Sequence, residues 1–483
     1  MELWKLTALE LGKALKNGEY KISEAVEALH RREGETAACN AYISVDWDWA
    51  MAEANRLQKR LDAGEKTSPL FGVPVMLKDN ICTKGIPTTC ASKMLKNFIP
   101  PYDASVTEKL KEAGMLILGK GNMDEFAMGS TGETSCFGSV KNPWDLERVP
   151  GGSSSGPAAA VAAGAAFCAL GSDTGGSIRQ PASHCGITGI KPTYGRVSRY
   201  GLVAYASSMD QIGNMARTAE DCAALLALIC GRDTRDMTTM EGKPVIPKET
   251  GVKKMRIGVP VSYLETAAEE VRNCIRNGAE ILKELGAEVE ETELAHTEEA
   301  VAAYYILASA EAASNLSRYD GWKYGYSVSE PTLEERLSES RTEAFGEEVK
   351  RRILLGNFVL SAGYMEDYYR RAQRAGIRVK QAFAEFFSRF DLLLAPTAPS
   401  SAPMLGTALK DPVQMYGGDC HTVGVNLAGL PAMTLPGGRD KQGMPVGIQL
   451  IAPAMEEERL FRAGIAFQRA TAYHQIWPEV KRK

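Results

Sequence analysis

Histidine is scarce in this chain. Five occur among 483 residues, at positions 30, 184, 296, 421 and 474, and none is paired at metal-ligand spacing. That argues against a zinc site and leaves a nucleophilic site short of its usual imidazole base. Ten cysteines are scattered without a Cys-x-x-Cys pair, which argues against a dithiol redox centre or a zinc ribbon. No run of about 18 apolar residues occurs, so no membrane span is expected. The opening Met1-Glu-Leu-Trp-Lys-Leu6 lacks the basic, apolar and small-residue regions of a secretory signal. These features predict reduced thiols and a cytoplasmic location. An excess of positive charge is also missing. With 56 Lys and Arg against 60 Asp and Glu, the formal charge is −4, and the basic footprint of a nucleic-acid reader is absent.

What is present describes an ordinary globular chain, 44% apolar and 24% charged. Its length alone would allow roughly three domains, but no repeat, low-complexity tract or linker divides it. Residues 2–64 carry apolar positions at helical spacing (Ala8, Leu11, Leu15; Ile22, Ala25, Leu29). Strand-like apolar runs are expected near 73–77, 115–119, 255–260, 287–294, 391–396, 432–436 and 446–451. The run 167–170 suits either a strand or a helix. Ala158 to Ala166 reads as an alanine-rich helix, with Pro157 suited to its first turn. Residues 297–390 are dense in charge and helix formers. Strand–helix alternation of this kind predicts an α/β fold, a large mixed sheet covered by helices on both faces. The expected organisation is a helical N-terminal segment, 1–60, and one large domain, 61–483, with a helical insertion near 297–390.

Gly171-Ser-Asp-Thr-Gly-Gly-Ser-Ile-Arg179 is the stretch that points to chemistry. Adjacent glycines leave backbone N–H groups unobstructed, and a serine follows them. A hydroxyl that attacks a carbonyl beside N–H groups that hold the oxyanion is what acyl transfer needs. Taken alone, the stretch also suits an ordinary Gly/Ser turn. A second cluster, Pro150-Gly-Gly-Ser-Ser-Ser-Gly-Pro157, matches the nucleophile-elbow pattern at Ser154. The polar residues before it do not read as the strand an elbow requires, and a turn with a helix N-cap fits better. Lys78 ends the apolar run 73–77. Solvated, it is an ordinary strand end; buried, it loses its proton readily and becomes a base.

Lys78, Ser153 and Ser177 together resemble the amidase signature family, and the resemblance extends over roughly residues 60–475. It implies a Ser–Ser–Lys triad in which Ser177 is the acyl nucleophile, Ser153 the bridging hydroxyl after a cis peptide bond, and Lys78 the base. It implies an oxyanion hole from the N–H groups of Thr174, Gly175, Gly176 and Ser177, with Ser154, Asp173 and Arg179 supporting the loop. Ser155 and Pro157 depart from the family's usual glycine and serine without touching the triad.

Further stretches, among them Asn122-Met-Asp-Glu-Phe-Ala-Met-Gly-Ser130, Phe345-Gly-Glu-Glu-Val-Lys-Arg-Arg-Ile353 and Asn426-Leu-Ala-Gly-Leu-Pro431, are similar to the family's glutamine-hydrolysing branch, which serves tRNA-dependent amidation. That resemblance implies glutamine as substrate, with Arg352 on its carboxylate, Asp419 on its ammonium, and Tyr304, Gly129 and Ser130 lining the pocket. The register leaves Arg351 against Arg352, and Tyr304 against Tyr305, open. It implies a kinase subunit that binds tRNA, and a small third subunit. No Gly-x-x-x-x-Gly-Lys-Ser/Thr loop occurs, so ATP and Mg²⁺ are expected on the partner, with no cofactor or metal held by this chain. The competing expectations are a stand-alone amidase for another small amide and an inactive scaffold.

Overall fold

Short apolar runs become strands of a single sheet. The structure, a computed structural model, describes residues 2–65, 67–242, 245–247 and 250–480; position 1 and positions 481–483, the outer ends of the expected two-part organisation, lie outside the described residues. The strands are β1 (Tyr42–Val45), β2 (Pro74–Lys78), β3 (Leu116–Gly121), β4 (Cys168–Asp173), β5 (Thr188–Lys191), β6 (Gln211–Ala216), β7 (Arg256–Pro260), β8 (Glu288–Thr292), β9 (Leu392–Pro396), β10 (Ala432–Arg439) and β11 (Pro445–Ile451). They lie in the order β1-β3-β2-β4-β6-β5-β10-β11-β9-β7-β8. Pairing is parallel where β2 meets β3 and β4 and where β7 meets β8 and β9, and antiparallel elsewhere. The sheet is therefore mixed.

Every residue of β2, β3, β4 and β9 is buried. That explains why these strands read as continuous apolar runs rather than alternating ones. Alternation reappears in how β9 and β11 divide their side chains between two cores. Leu394 and Leu450 join the cluster that includes Leu77, Leu170 and Phe461. Leu393, Ala395 and Ile451 join Phe126, Tyr304, Val349 and Phe383 on the other side. Helices therefore cover both faces. The strand β8, Glu288-Val-Glu-Glu-Thr292, closes one edge with acidic, exposed positions, a charge pattern that discourages edge-to-edge pairing.

Residues 297–389 form the helices Thr297–Asn315, Leu333–Ala344, Glu347–Leu360 and Arg371–Arg389, with a π-helical turn at Met365–Arg370. Among the described residues no helix is long and apolar enough to cross a membrane. Three strands carry too little apolar signal to be read from the sequence. Tyr42–Val45 lies within the stretch read as helical, yet pairs with β3 and fastens the N-terminal helices to the sheet. Thr188–Lys191 and Gln211–Ala216 are glycine-bearing and polar, and hold through ladders on both sides. The ambiguous run near 167–170 is a strand.

The helix Ser155–Ala163 is buried along its whole length. Its small residues let it sit against β2, β3, β4 and β6. A Cβ on Gly156 would meet Ala41 O at 2.3 Å, Asn122 N at 2.4 Å and Asn122 O at 2.5 Å. All three are backbone atoms, so relief requires main-chain movement. Gly156→Ala is expected to lower stability by about 1–3 kcal/mol in urea denaturation. An unchanged midpoint would show that the helix is free to shift.

Candidate active site

Lys78 is the last residue of β2 and is fully buried. Its Nζ lies 2.7 Å from Ser153 Oγ, 2.9 Å from Ser172 Oγ and 3.3 Å from Ser172 O. Asn80 Nδ2 donates to the same Ser172 hydroxyl at 2.9 Å. Burial lowers the Lys78 pKa to about 7, against the opposing pull of Asp124, Asp173 and Asp210. A large share of molecules therefore holds a neutral amine near neutral pH, able to accept a proton through Ser153.

Ser153 is aimed by a loop rather than by regular structure. The Gly152–Ser153 bond is cis. Gly152 N–H donates to Gln180 Oε1 at 2.9 Å, and Asp124 N–H to Ser153 O at 3.2 Å. Ser154 N–H donates to Ser177 O at 3.1 Å, and its hydroxyl donates to Ser172 O at 3.1 Å. Ser154 is thus fastened to β4, and no strand precedes it as an elbow would require.

Ser177 follows β4 and opens the turn into the helix Arg179–Cys185. It is 9% exposed, whereas Ser153, Ser154 and Lys78 are at 0%. Of this group, Ser177 is the hydroxyl a substrate can reach. Among the described residues the N–H groups of Thr174, Gly175 and Ser177 donate to no other group. Gly176 departs from the expected set. Its N–H is given to Asp173 Oδ1 at 2.8 Å, so it serves the loop's shape, and three of the four expected N–H groups are left free. Glycine is required at both positions. A Cβ on Gly175 would lie 2.4 Å from the Tyr304 ring, and one on Gly176, at φ +137°, 2.3 Å from Thr422 Oγ1.

Asp173 also takes the Ile178 N–H at 3.2 Å and both arms of Arg179 at 3.0 Å. Burial works against its ionisation, but Arg179 and Lys191 hold its carboxyl well below the usual carboxylate range. Arg179 continues to Gln449 Oε1 at 2.7 Å, Asn426 Oδ1 at 2.5 Å and Thr422 O at 3.2 Å.

Opposite charges face this loop, Arg352 from the helical segment and Asp419 from the turn before the helix Val423–Ala428. Arg352 is 3% exposed, while the Arg351 side chain is 46% exposed, which places Arg352 inward. Its Nε donates to Glu348 Oε1 at 2.7 Å and its Nη1 to Tyr205 Oη at 2.5 Å. Its guanidinium carbon stands 4.7 Å from the Tyr305 ring centre and 5.1 Å from that of Tyr416. Asp419 accepts the hydroxyls of Ser130 at 2.9 Å and Tyr305 at 2.5 Å. Burial raises its pKa to about 6, with those hydrogen bonds and Arg352 pulling the other way. Both tyrosines take part: Tyr304 packs on Gly175, and Tyr305 links Asp419 to Arg352. Gly129, at φ +147°, leaves room for the Asp124 carboxyl, which binds the N–H of Gly132 at 2.9 Å. Among the described residues no cluster of three His, Cys, Asp or Glu could hold a metal.

Sequence reasoning missed Glu348, Tyr205, Tyr416, Thr422 and the part played by Tyr305. Glu348 was accessible, because a carboxylate four residues before an arginine sits over it on a helix. Tyr205 comes from a loop distant in sequence and carries no such signal.

The amidase family profile matches residues 24–461. The A subunit of glutamyl-tRNA(Gln) amidotransferase from Lachnoclostridium phytofermentans is 51% identical over 98% of this chain and 99% of its own. The crystal structure of its counterpart from Thermotoga maritima superposes with a TM-score of 0.81 at 39% identity, covering 100% of this chain and 99% of that one. Native peptide amidase from Stenotrophomonas maltophilia shares the architecture at a TM-score of 0.80 and 29% identity, over 96% of each chain.

The amine of Lys78 accepts a proton only when neutral, and its pKa stands near 7. Amide hydrolysis is therefore expected to fall about tenfold per unit as pH drops below about 7. A pH–rate profile of kcat/KM checks this; a profile flat to pH 5 would remove Lys78 as the base.

Proposed function

Because the chain belongs to the amidase family, in the branch of the glutamyl-tRNA(Gln) amidotransferase A subunits, we propose that it hydrolyses glutamine to supply ammonia for converting Glu-tRNA(Gln) to Gln-tRNA(Gln). One observation carries the choice of substrate. A buried guanidinium and a buried carboxyl both meet Tyr305, next in sequence to the Tyr304 that packs on Gly175. A zwitterionic α-carbon fits that pair, its carboxylate against Arg352 and its ammonium against Asp419. The side-chain amide then extends toward Ser177.

In this reading neutral Lys78 draws the Ser153 proton as Ser153 draws that of Ser177. Ser177 Oγ attacks the amide carbon, and the N–H groups of Thr174, Gly175 and Ser177 hold the oxyanion. One such donor contributes about 3 kcal/mol in a transition state. The C–N bond breaks, ammonia leaves with a proton returned through the relay, and a glutamyl ester remains on Ser177. Water hydrolyses that ester to glutamate. Arrival of the substrate ammonium favours the ionised form of Asp419, so glutamine binding is expected to weaken below about pH 6.

The ammonia is consumed on a partner. A tRNA-binding kinase subunit, using ATP and Mg²⁺, activates the misacylated glutamate as a γ-phosphoryl ester, and a small third subunit completes a heterotrimer. Location in the cytoplasm follows from that role in translation.

Arg352→Ala removes the cation proposed to pair with the substrate carboxylate in a buried site, a loss of about 2–5 kcal/mol. KM for glutamine is expected to rise at least ~30-fold, and Asp419→Asn to act likewise. Steady-state glutaminase assays check this. Unchanged KM in both variants would point to a different amide. The larger assignment is tested by ATP-dependent Gln-tRNA(Gln) formation after co-purification with the partner subunits, and failure to form it would leave a stand-alone amidase.

A further inference from the structure

A cavity of about 1250 Å³ is separate from the Arg352–Asp419 site and shares no residue with Lys78, Ser153 or Ser177. It lies between the 93–102 segment, the 202–204 turn and the 314–326 segment. Its walls carry Lys93, Lys96, Arg318 and Lys323, and no Asp or Glu. In a chain of net charge −4, this is a local inversion of sign.

The three lysines form no ion pair among the described residues. Carboxylates close in sequence or space are committed elsewhere. Asp320 accepts the N–H groups of Trp322 at 2.9 Å and Lys323 at 2.8 Å. Glu343 accepts the Tyr326 hydroxyl at 2.7 Å. Glu125 is buried and holds Ser92 Oγ at 2.5 Å and Gly346 N at 2.7 Å. Four exposed cations with no carboxylate on the same lining make an acidic occupant the complementary one.

Cys82, Leu202, Val203 and Ala204 give the lining an apolar part. On the rim Tyr102 is 40% exposed, Tyr324 61% and Tyr326 39%, and tyrosine is the residue type enriched at protein interfaces. The volume exceeds the roughly 300–1,000 Å³ of small-molecule pockets.

We infer that this cavity docks an extended acidic segment of a partner subunit. Its carboxylates meet Lys93, Lys96, Arg318 and Lys323, and its aliphatic side chains meet the apolar part. A polypeptide fits better than a nucleic-acid strand. An apolar lining rewards buried aliphatic side chains, whereas a phosphate backbone needs a cationic track with bases stacked along it. The inference rests on the amidotransferase reading, which supplies the partner chains.

The test uses the chain co-expressed with the two partner subunits. Lys93→Glu, Lys96→Glu and Lys323→Glu combined are expected to raise the Kd for assembly at least tenfold, while glutaminase activity of the isolated chain stays unchanged. Lysine-to-arginine substitutions at the same positions should retain assembly. Wild-type assembly should weaken as salt rises, and a photo-cross-linker at Tyr324 should join a carboxylate-rich stretch of a partner. Wild-type affinity in the charge-reversed variant, or cross-links to tRNA or to a carboxylate-poor stretch, would overturn the inference while leaving the amidotransferase reading in place. Failure of the wild-type chain to assemble would overturn that reading, and this inference with it.

Discussion

The Asp173–Arg179 pair is the interaction on which the rest of the site depends. Both groups are wholly buried, so each would be costly to keep without full hydrogen bonding. The structure satisfies them by recruiting everything nearby. Asp173 ends β4, folds the following turn back through the N–H groups of Gly176 and Ile178, and grips both arms of Arg179. Arg179 then reaches Gln449 in β11 and Asn426 and Thr422 beside Asp419. One ion pair thereby fixes the loop that carries Ser177 and ties it to the segment that carries Asp419.

That rigidity lets the site dispense with histidine. A lysine in water is protonated and useless as a base. Held at the end of a buried strand its pKa falls to about 7, and in the relay proposed above the Ser153 hydroxyl, 2.7 Å away, links it to Ser177. The helical segment completes the arrangement from the other side. Consecutive tyrosines on one helix do different work, Tyr304 closing against Gly175 and Tyr305 joining Asp419 to Arg352.

Strands buried on both faces, such as β2 and β9, announce themselves as apolar runs, and the glycine-rich loop before Ser177 announces itself by composition. Strands held by ladders on both sides need little apolar signal, which is why β5 and β6 escaped notice. Lys78, Ser153 and Ser177 could be singled out because three short motifs occur together, yet nothing in the one-dimensional pattern shows that Gly176 spends its N–H on Asp173. That depends on where a carboxylate three residues earlier points. Arg352 and Arg351 are indistinguishable as letters and are separated only by which face of their helix meets Tyr305. Glu348 was within reach through its spacing; Tyr205 and Thr422 arrive from distant segments through tertiary packing.

The covalent intermediate is where the proposed chemistry is most directly exposed to measurement. Rapid quench of the assembled protein with glutamine, followed by peptide mass spectrometry, should find a glutamyl ester on Ser177. The ester should be absent from Ser177→Ala and strongly reduced in Lys78→Met. A glutamyl adduct on any other side chain, or none on Ser177 while glutamine is being turned over, would contradict the Ser–Ser–Lys mechanism.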